Sequence, residues 1–390
     1  MSRRGLVVAG LAAVVAVGSA AIPPWGFYAH RAINRLAVFT LPANLAAFYK
    51  PHLAYIRAHA VDPDKRRYAA PLEGPRHFVD LERLGDGGVD ALPLRFWEFH
   101  ARYTELSCVR DADTATVEWR EDTLWVGPSP RPVRGGAYGE FYRGAVLPAY
   151  YREQDRLDTT LTALFLDGGD PGCTALLVAD TVTEHGILPY HLVAMQRKLT
   201  AAFAGGDARR ALQLSAELGH YVGDAAVPLH TTVNYDGQLT GQRGIHAFWE
   251  SRLPELFAEA EFDALVGPAW YVDDPRALVR EVVAESHALV DSVLLIEADL
   301  RRALPEEAQD CYEERLGRVV RVPCSGFARA YHDRLGGMVE ARFRRAIAVT
   351  GALWYTAWVD GGQPDFAGVG ELTTGDTAYV RRPGLEGRGH

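Results

Sequence analysis

In the stretch His220-Tyr-Val-Gly-Asp224-Ala-Ala-Val-Pro-Leu-His230, an imidazole and a carboxylate stand four residues apart. On a helix that spacing places both on one face, one turn from each other, where they can meet a single metal ion. Pro228 ends such a helix and turns His230 back, and sixteen residues later His246-Ala-Phe-Trp-Glu250 repeats the spacing of histidine and acid. Two one-turn pairs with a third histidine between them suit more than one metal. The competing reading is ordinary: a histidine four residues from an acid is common and usually makes a surface pair. Spacing alone leaves both open.

The wider pattern favours the metal. His220-x-x-Gly-Asp224-x-x-x-Pro-x-His230, followed by His246-x-x-x-Glu250, resembles the metal-binding core of the zinc-dependent phospholipase C and single-strand-specific nuclease superfamily. Its members are extracytoplasmic, all-helical enzymes that carry three zinc ions and cleave phosphate esters. Trp25-Gly-Phe-Tyr-Ala-His30 is similar to the mature start of the nucleases, and His59-Ala-Val-Asp62 with Arg76-His77-Phe-Val-Asp80 fits the family's aspartate and histidine. The resemblance therefore implies an all-α, multi-helix domain. It also implies that Asp62, His77, His220 and Asp224 hold one zinc, that His230, His246 and Glu250 hold a second, and that Trp25, His30 and the shared Asp224 hold a third. A carboxylate can bridge two cations where a neutral imidazole cannot, which suits Asp224 to the shared position. Nitrogen and oxygen donors suit zinc without excluding manganese or cobalt.

Asp62, Asp224 and Lys65 are the residues expected to carry the reaction. Lys65, three residues after Asp62, resembles the family's phosphate-contacting base, with Arg66 a near alternative; a solvated lysine in the Asp-Pro-Asp-Lys-Arg-Arg run is an equal reading. Asp64 and Asp80 are read as supporting or capping acids, with Asp64 taking the place of Asp62 if the register shifts. His52, His59, His100, His185, His191, His287 and His332 match no motif position and are read as packing residues, as are Trp249 and Tyr221. The ligand acids do not cancel six positive charges, so the site stays cationic and attracts phosphate. A metal-acidified water would attack phosphorus in line, with no covalent protein intermediate.

Three functions follow. The first is a nuclease-like phosphodiesterase acting on single-stranded nucleic acid or nucleotides, favoured by the five-residue step from Trp25 to His30. The second is a phospholipase C acting on phospholipid head groups, and the third a metal-binding protein without turnover. Neither Gly-x-Ser-x-Gly nor His-Glu-x-x-His occurs, so serine esterase and zincin readings lose support.

The elements that must position these residues read as helices, with apolar residues recurring at three and four. Leu192, Met195 and Leu199 form one stripe, Gly205-Gly206 breaks it, and Asp207 caps the next helix through Leu212 and Leu218 to His220. Leu278, Val282 and Leu289 mark a later helix, and Met338, Phe343 and Ile347 another. Residues from about 103 to 143 differ: Thr114-Ala-Thr-Val-Glu-Trp alternates like a strand, and Pro128, Pro130, Pro132 and Gly135-Gly136 mark a loop. This is read as a loop or short-strand insertion in a helical domain over 25–361, with a loosely ordered tail over 362–390.

With 390 residues and 48% hydrophobic, the chain can bury a large core. A formal charge of -9 argues against stable duplex DNA binding by counterion release, while leaving room for a short strand or a single phosphate. Arg3 and Arg4 precede an uncharged run whose core is Leu6 to Val17 and whose end is small, so residues 1–24 read as an export signal. An uncleaved anchor that touches the membrane is the alternative. Either places the remainder outside the cytoplasm, periplasmic or extracellular, and a monomer is expected. The resemblance further implies Trp25 as the mature N-terminus, although Pro24 and Ile22 suit signal cleavage poorly. Cys108, Cys173, Cys311 and Cys324 contain no C-x-x-C pair, so two disulfides are simpler than a thiolate zinc site. Cys311 with Cys324 and Cys108 with Cys173 is one pairing; the sequence does not decide it.

Overall fold

The computed structural model describes residues 27–366, apart from 85–86, 111–112, 121–122, 127–128, 132–136, 160–172 and 316. The N-terminal segment 1–24, Trp25 and residues 367–390 lie outside the described residues. What is described is mostly helical, with two small antiparallel sheets.

The centre of the body is the helix Ala208–Ala225, all but three of whose eighteen residues are buried. Asp207 caps it by accepting a hydrogen bond from the Arg210 backbone N–H at 2.9 Å, as read from the sequence. Around it pack Phe27–Ala37, Leu188–Ala204, Pro275–His287 and the long helix Met338–Asp360. The stripe of Leu192, Met195 and Leu199 is buried in this core, together with Leu212, Leu218, Leu278 and Val282. Trp354 ties the long helix to the central one, stacking on Tyr49 at 5.0 Å and donating its indole N–H to the Ser215 carbonyl at 3.1 Å. Leu289 does not continue its helix, which ends at His287 and restarts at Val290.

Two glycines let the first helix approach the central one closely. A Cβ at Gly219 would overlap the Asn34 side chain, and one at Gly223 would stand 2.7 Å from His30 Nδ1. The backbone is thus bare where Asn34 and His30 press against it, and the His30 ring stacks on His220 at 4.0 Å.

The insertion is a sheet, and it is larger than the alternating segment indicates. Strands β1 (Thr104–Arg110), β2 (Asp113–Arg120), β3 (Thr123–Val126), β4 (Ser129–Arg131), β5 (Arg156–Leu157) and β6 (Ala175–Asp180) form one antiparallel sheet in the order β4-β3-β2-β1-β6-β5. The sheet therefore continues well past residue 143. β1 pairs with β6 from Thr104 opposite Asp180 to Val109 opposite Ala175, and Leu106, Cys108, Leu176 and Val178 pack on Tyr138, Phe141 and Tyr142. The loop prolines Pro128 and Pro132 and the pair Gly135-Gly136 lie outside the described residues, while Pro130 sits in β4. A second sheet, absent from the sequence reading, is the hairpin of β7 (Asp310–Arg315) and β8 (Arg318–Pro323).

The open question of pairing resolves as Cys108 with Cys173 and Cys311 with Cys324, which leaves no free cysteine. Two disulfides are the mark of a chain that matures in an oxidising environment. Among the described residues no helix is long and apolar enough to cross a membrane. The first residues of the expected loose tail are docked, with Phe366 against Phe48 at 4.6 Å.

Candidate metal centre

Six separate segments converge on one buried cluster, the Asp62–Arg66 turn among them with Asp64. The central helix supplies His220 and Asp224, 0% and 1% exposed and one turn apart as their spacing requires. Its end at Ala225 is followed by the short Pro228–Thr231 helix, which carries His230 back to the cluster. His30 comes from the first helix, and His77 follows the Pro71–Arg76 turns. His246 and Glu250 lie where the Ile245–Ala247 turn runs into a wide π-type turn over Phe248–Arg252, a local irregularity that often accompanies functional sites.

Three groups of donor atoms lie within 4.8 Å of one another, close enough to hold a metal ion each: His30, His220 and Asp224; Asp64, His77 and His220; and His230, His246 and Glu250. Asp224 joins the first two. Its Oδ2 is 2.9 Å from His77 Nδ1 and 3.4 Å from His220 Nε2, while Oδ1 is 3.4 Å from His30 Nε2 and 3.7 Å from His230 Nε2. Glu250 is similarly divided, with Oε1 3.2 Å from His30 Nε2 and Oε2 2.8 Å from His246 Nε2. Each carboxylate thus faces two groups of imidazoles with different oxygens.

The outer atoms of two imidazoles set the inner ones. His220 donates from Nδ1 to the Ala60 carbonyl at 2.8 Å, and His246 from Nδ1 to the Tyr235 carbonyl at 3.0 Å. A carbonyl can only accept, so Nδ1 carries a proton on both rings and Nε2 faces inward; His220 is neutral there, whereas burial of His246 is outweighed by its hydrogen bond to Glu250, which raises it until a cation takes the proton's place. His220 Nε2 approaches His77 Nδ1 to 3.2 Å, and His246 Nε2 approaches His230 Nε2 to the same distance. Nitrogens converging in this way, together with carboxylate oxygens, form a donor set that fits a divalent cation.

Burial governs the charge of the cluster. It holds His77 and His220 well below the usual histidine range, helped by neighbouring imidazoles, and His230 down to about 4. These rings are neutral at neutral pH, the form that binds metal. Burial, then the charges of Asp64 and Glu250, push Asp224 well above the carboxylate range. Burial opposes ionisation of Glu250 too, but hydrogen bonds from His230, His246 and His30 prevail and hold it low. Asp224 thus bears the repulsion of Asp64 and Glu250, which is the electrostatic condition a bound cation relieves.

Seven of the sequence-predicted ligands meet here: His30, His77, His220, Asp224, His230, His246 and Glu250. Trp25 lies outside the described residues. Asp62 is the exception. It turns to His59 at 2.5 Å and Lys65 at 2.8 Å and stands outside the three donor groups, whereas Asp64 is buried 3.9 Å from His77 Nδ1 and 3.8 Å from His220 Nε2. The physical reason is the single turn Asp62–Arg66: acids two residues apart on a helical turn face different ways, and only the second faces the cluster.

The shift carries the basic residue with it. Lys65 is exposed and bound to Asp62, and Arg66 is locked in ion pairs with Glu73 and Glu217. Arg67, three residues after Asp64 and 3.7 Å from its Oδ1, instead lines the cavity of about 750 Å³ that opens onto Asp64, Asp224, His230, His246 and Glu250. Sequence reasoning missed it, although the three-residue step points to it once Asp64 takes the place of Asp62 in the cluster. Tyr221 and Trp249 are buried packing residues as read, with the Tyr221 hydroxyl donating to Glu73. His59 pairs with Asp62, and His100 with Tyr142 at 2.7 Å, away from the cluster. Asp80 is also apart from the donor groups; burial, then Glu82, push its carboxyl up to about 7.

No protein-family model matches this sequence, and no curated protein matches it either.

Proposed function

We propose that this chain is an exported phosphodiesterase with three zinc ions, of the zinc-dependent phospholipase C and single-strand nuclease type, acting on single-stranded nucleic acid or nucleotides. The observation that carries the reading is Asp224. Its two oxygens face two different groups of imidazoles at 2.9 to 3.7 Å, the arrangement a carboxylate shared by two cations requires. Zinc ions in such a site supply a water acidified enough to attack near neutral pH and positive charge for a departing oxygen.

The chain's own residues do the rest. Asp64, His77 and His220 hold one ion with Asp224; His230, His246 and Glu250 hold the second; His30 and Asp224 hold the third, with Trp25 as the further ligand that the family resemblance implies. The Ala60 and Tyr235 carbonyls orient the His220 and His246 rings, so that the donor set is rigid before substrate arrives. Arg67 at the cavity wall is placed to grip a phosphate oxygen, the role first read for Lys65. Export is supported by the two disulfides and by the N-terminal pattern.

The test is a substrate panel on purified, zinc-loaded protein: single-stranded DNA, RNA, 3'-nucleotides and phosphatidylcholine, each with and without a chelator. Chelator-sensitive cleavage of the nucleic acids or nucleotides is expected. Cleavage of phosphatidylcholine alone would make the chain a phospholipase C, and no cleavage of any ester would leave a metal-binding protein without turnover.

A further inference from the structure

The cavity over the donor groups does not end at His246 and Glu250. Its far wall is β8, with the loop Gly241–Gly244 alongside, and it carries Arg243, Arg252, Arg301, Arg315 and Arg321. Most of these charges are already matched. Arg252 grips Glu313, Arg315 lies between Glu255 and Glu313, and Arg301 lies between Glu297 and Asp310. Arg321 shares Asp310 through one nitrogen at 2.7 Å, and its side chain is 68% exposed. Arg243 is exposed and has no hydrogen-bond or ion-pair partner among the described residues. Arg243 and Arg321 are thus the two arginines of this wall whose charge is least matched, since Arg321 shares its Asp310 carboxylate with Arg301.

Both arginines are mounted on fixed backbone. The Gln242 side chain is buried, donating to the Leu294 carbonyl at 2.8 Å and to Glu297 at 2.6 Å. Gly241 and Gly244 take the left-handed conformations, φ +77° and +94°, that close the loop on either side. The Gly244 N–H adds a bond to Asp236 at 2.9 Å. Arg321 stands on a hairpin closed by the Cys311–Cys324 disulfide. A cation held in place by its backbone loses less freedom on binding an anion than one on a loose loop.

We propose that Arg243 and Arg321 form a second phosphate subsite, which takes the phosphodiester next to the scissile one in a single strand. This rests on the phosphodiesterase reading above and narrows its substrate to chains carrying at least two phosphates. A choline head group would bring a like charge to the same wall. Guanidinium forks suit phosphate oxygens, and both arginines line the same cavity as Asp224, His230, His246 and Glu250, which would hold the scissile phosphate.

The experiment uses full-length, zinc-loaded protein and two readouts. The first is the ratio of kcat/KM for the trinucleotide TpTpT, which has two phosphodiesters, to that for bis(4-nitrophenyl) phosphate, which has one. The second is the affinity for a fluorescein-labelled phosphorothioate decathymidylate, followed by anisotropy across a salt series. The Arg243→Ala/Arg321→Ala variant should lower the ratio at least tenfold and flatten the salt slope by about 1.4, two phosphate contacts at about 0.7 each on a single strand. Arg243→Ala alone, which breaks no contact among the described residues, should give part of both effects, and the double lysine variant should restore most of the affinity. An unchanged ratio with unchanged binding overturns the subsite, even if both esters are cleaved. Failure of the wild type to cleave either ester overturns the phosphodiesterase reading instead, while the decathymidylate binding still decides whether the two arginines hold a strand.

Discussion

The helical body and the two sheets are held together by different means. In the body, helices far apart in sequence bring acids and imidazoles into a nearly water-free centre, where each must be hydrogen-bonded, neutralised or matched by a cation. The sheets carry a smaller core on β1, β2 and β6 and a hairpin with a single buried residue, Val322, and each is closed by a covalent link. In the chain-entropy model those links contribute about 4 kcal/mol for the loop of 65 residues and about 3 kcal/mol for that of 13. The contrast teaches where damage travels. A change in the body should alter metal content and stability together, whereas a change in a sheet should stay local.

The sharpest break of that comparison is Asp224→Asn. One oxygen of an amide binds metal poorly, and this side chain faces imidazoles of both the His30 and the His77 groups, so the variant should lose at least two of the three proposed ions. Phosphodiester cleavage should fall more than about 100-fold, beyond the usual loss for an outer-shell partner. Metal analysis beside kcat/KM checks both; near-normal values would remove Asp224 from the shared position.

Next in size is the pair Asp64→Asn and Asp62→Asn. The first should release the ion held with His77 and His220 and lower activity at least about tenfold, while the second should keep full metal content and lose only the contacts to His59 and Lys65. The opposite ranking would restore Asp62 as the ligand. In the sheet, Cys108→Ala/Cys173→Ala should cost up to about 4 kcal/mol of local stability, seen as faster proteolysis between β1 and β6, yet leave metal content unchanged. Loss of metal in that variant would show that the sheet and the body are coupled.

The smallest expected effect is at Asp80, whose carboxyl is raised to about 7 in the fold. The folded state keeps this proton at pH values where the unfolded chain, near 3.8, has released it. Its contribution to stability is therefore full in acid and is lost as pH rises through 7. Asp80→Asn removes the penalty. After discounting for solvent screening it should be about 1 kcal/mol more stable than wild type at pH 8, and equal to it at pH 4. Thermal melts at the two pH values test this, and a variant melting lower at pH 8 would contradict it.

How much of this was legible in the sequence follows from the range of the interactions. His220 with Asp224 and His246 with Glu250 were readable because helix geometry alone puts them one turn apart. The glycine beside Asp224 was visible too, but its purpose, admitting His30, appears only when the first helix packs on it. Asp62 and Asp64 share one turn, and contact with two distant histidines decides between them. Arg67 was hidden by the same register. In the sheet, β2 announced itself by alternation, whereas β6 is a short apolar run whose partner β1 lies about 65 residues earlier. The β7–β8 hairpin was missed because its strands are crowded with Glu and Arg, residues of weak strand preference, and are closed by a disulfide more than by a buried face.

The most direct test of the metal centre is the elemental content of the full-length protein, purified without chelators and normalised by amino-acid analysis. Three zinc ions per chain are expected. One ion or none, in folded protein with both disulfides formed, would contradict the shared role of Asp224 and the reading of the whole cluster.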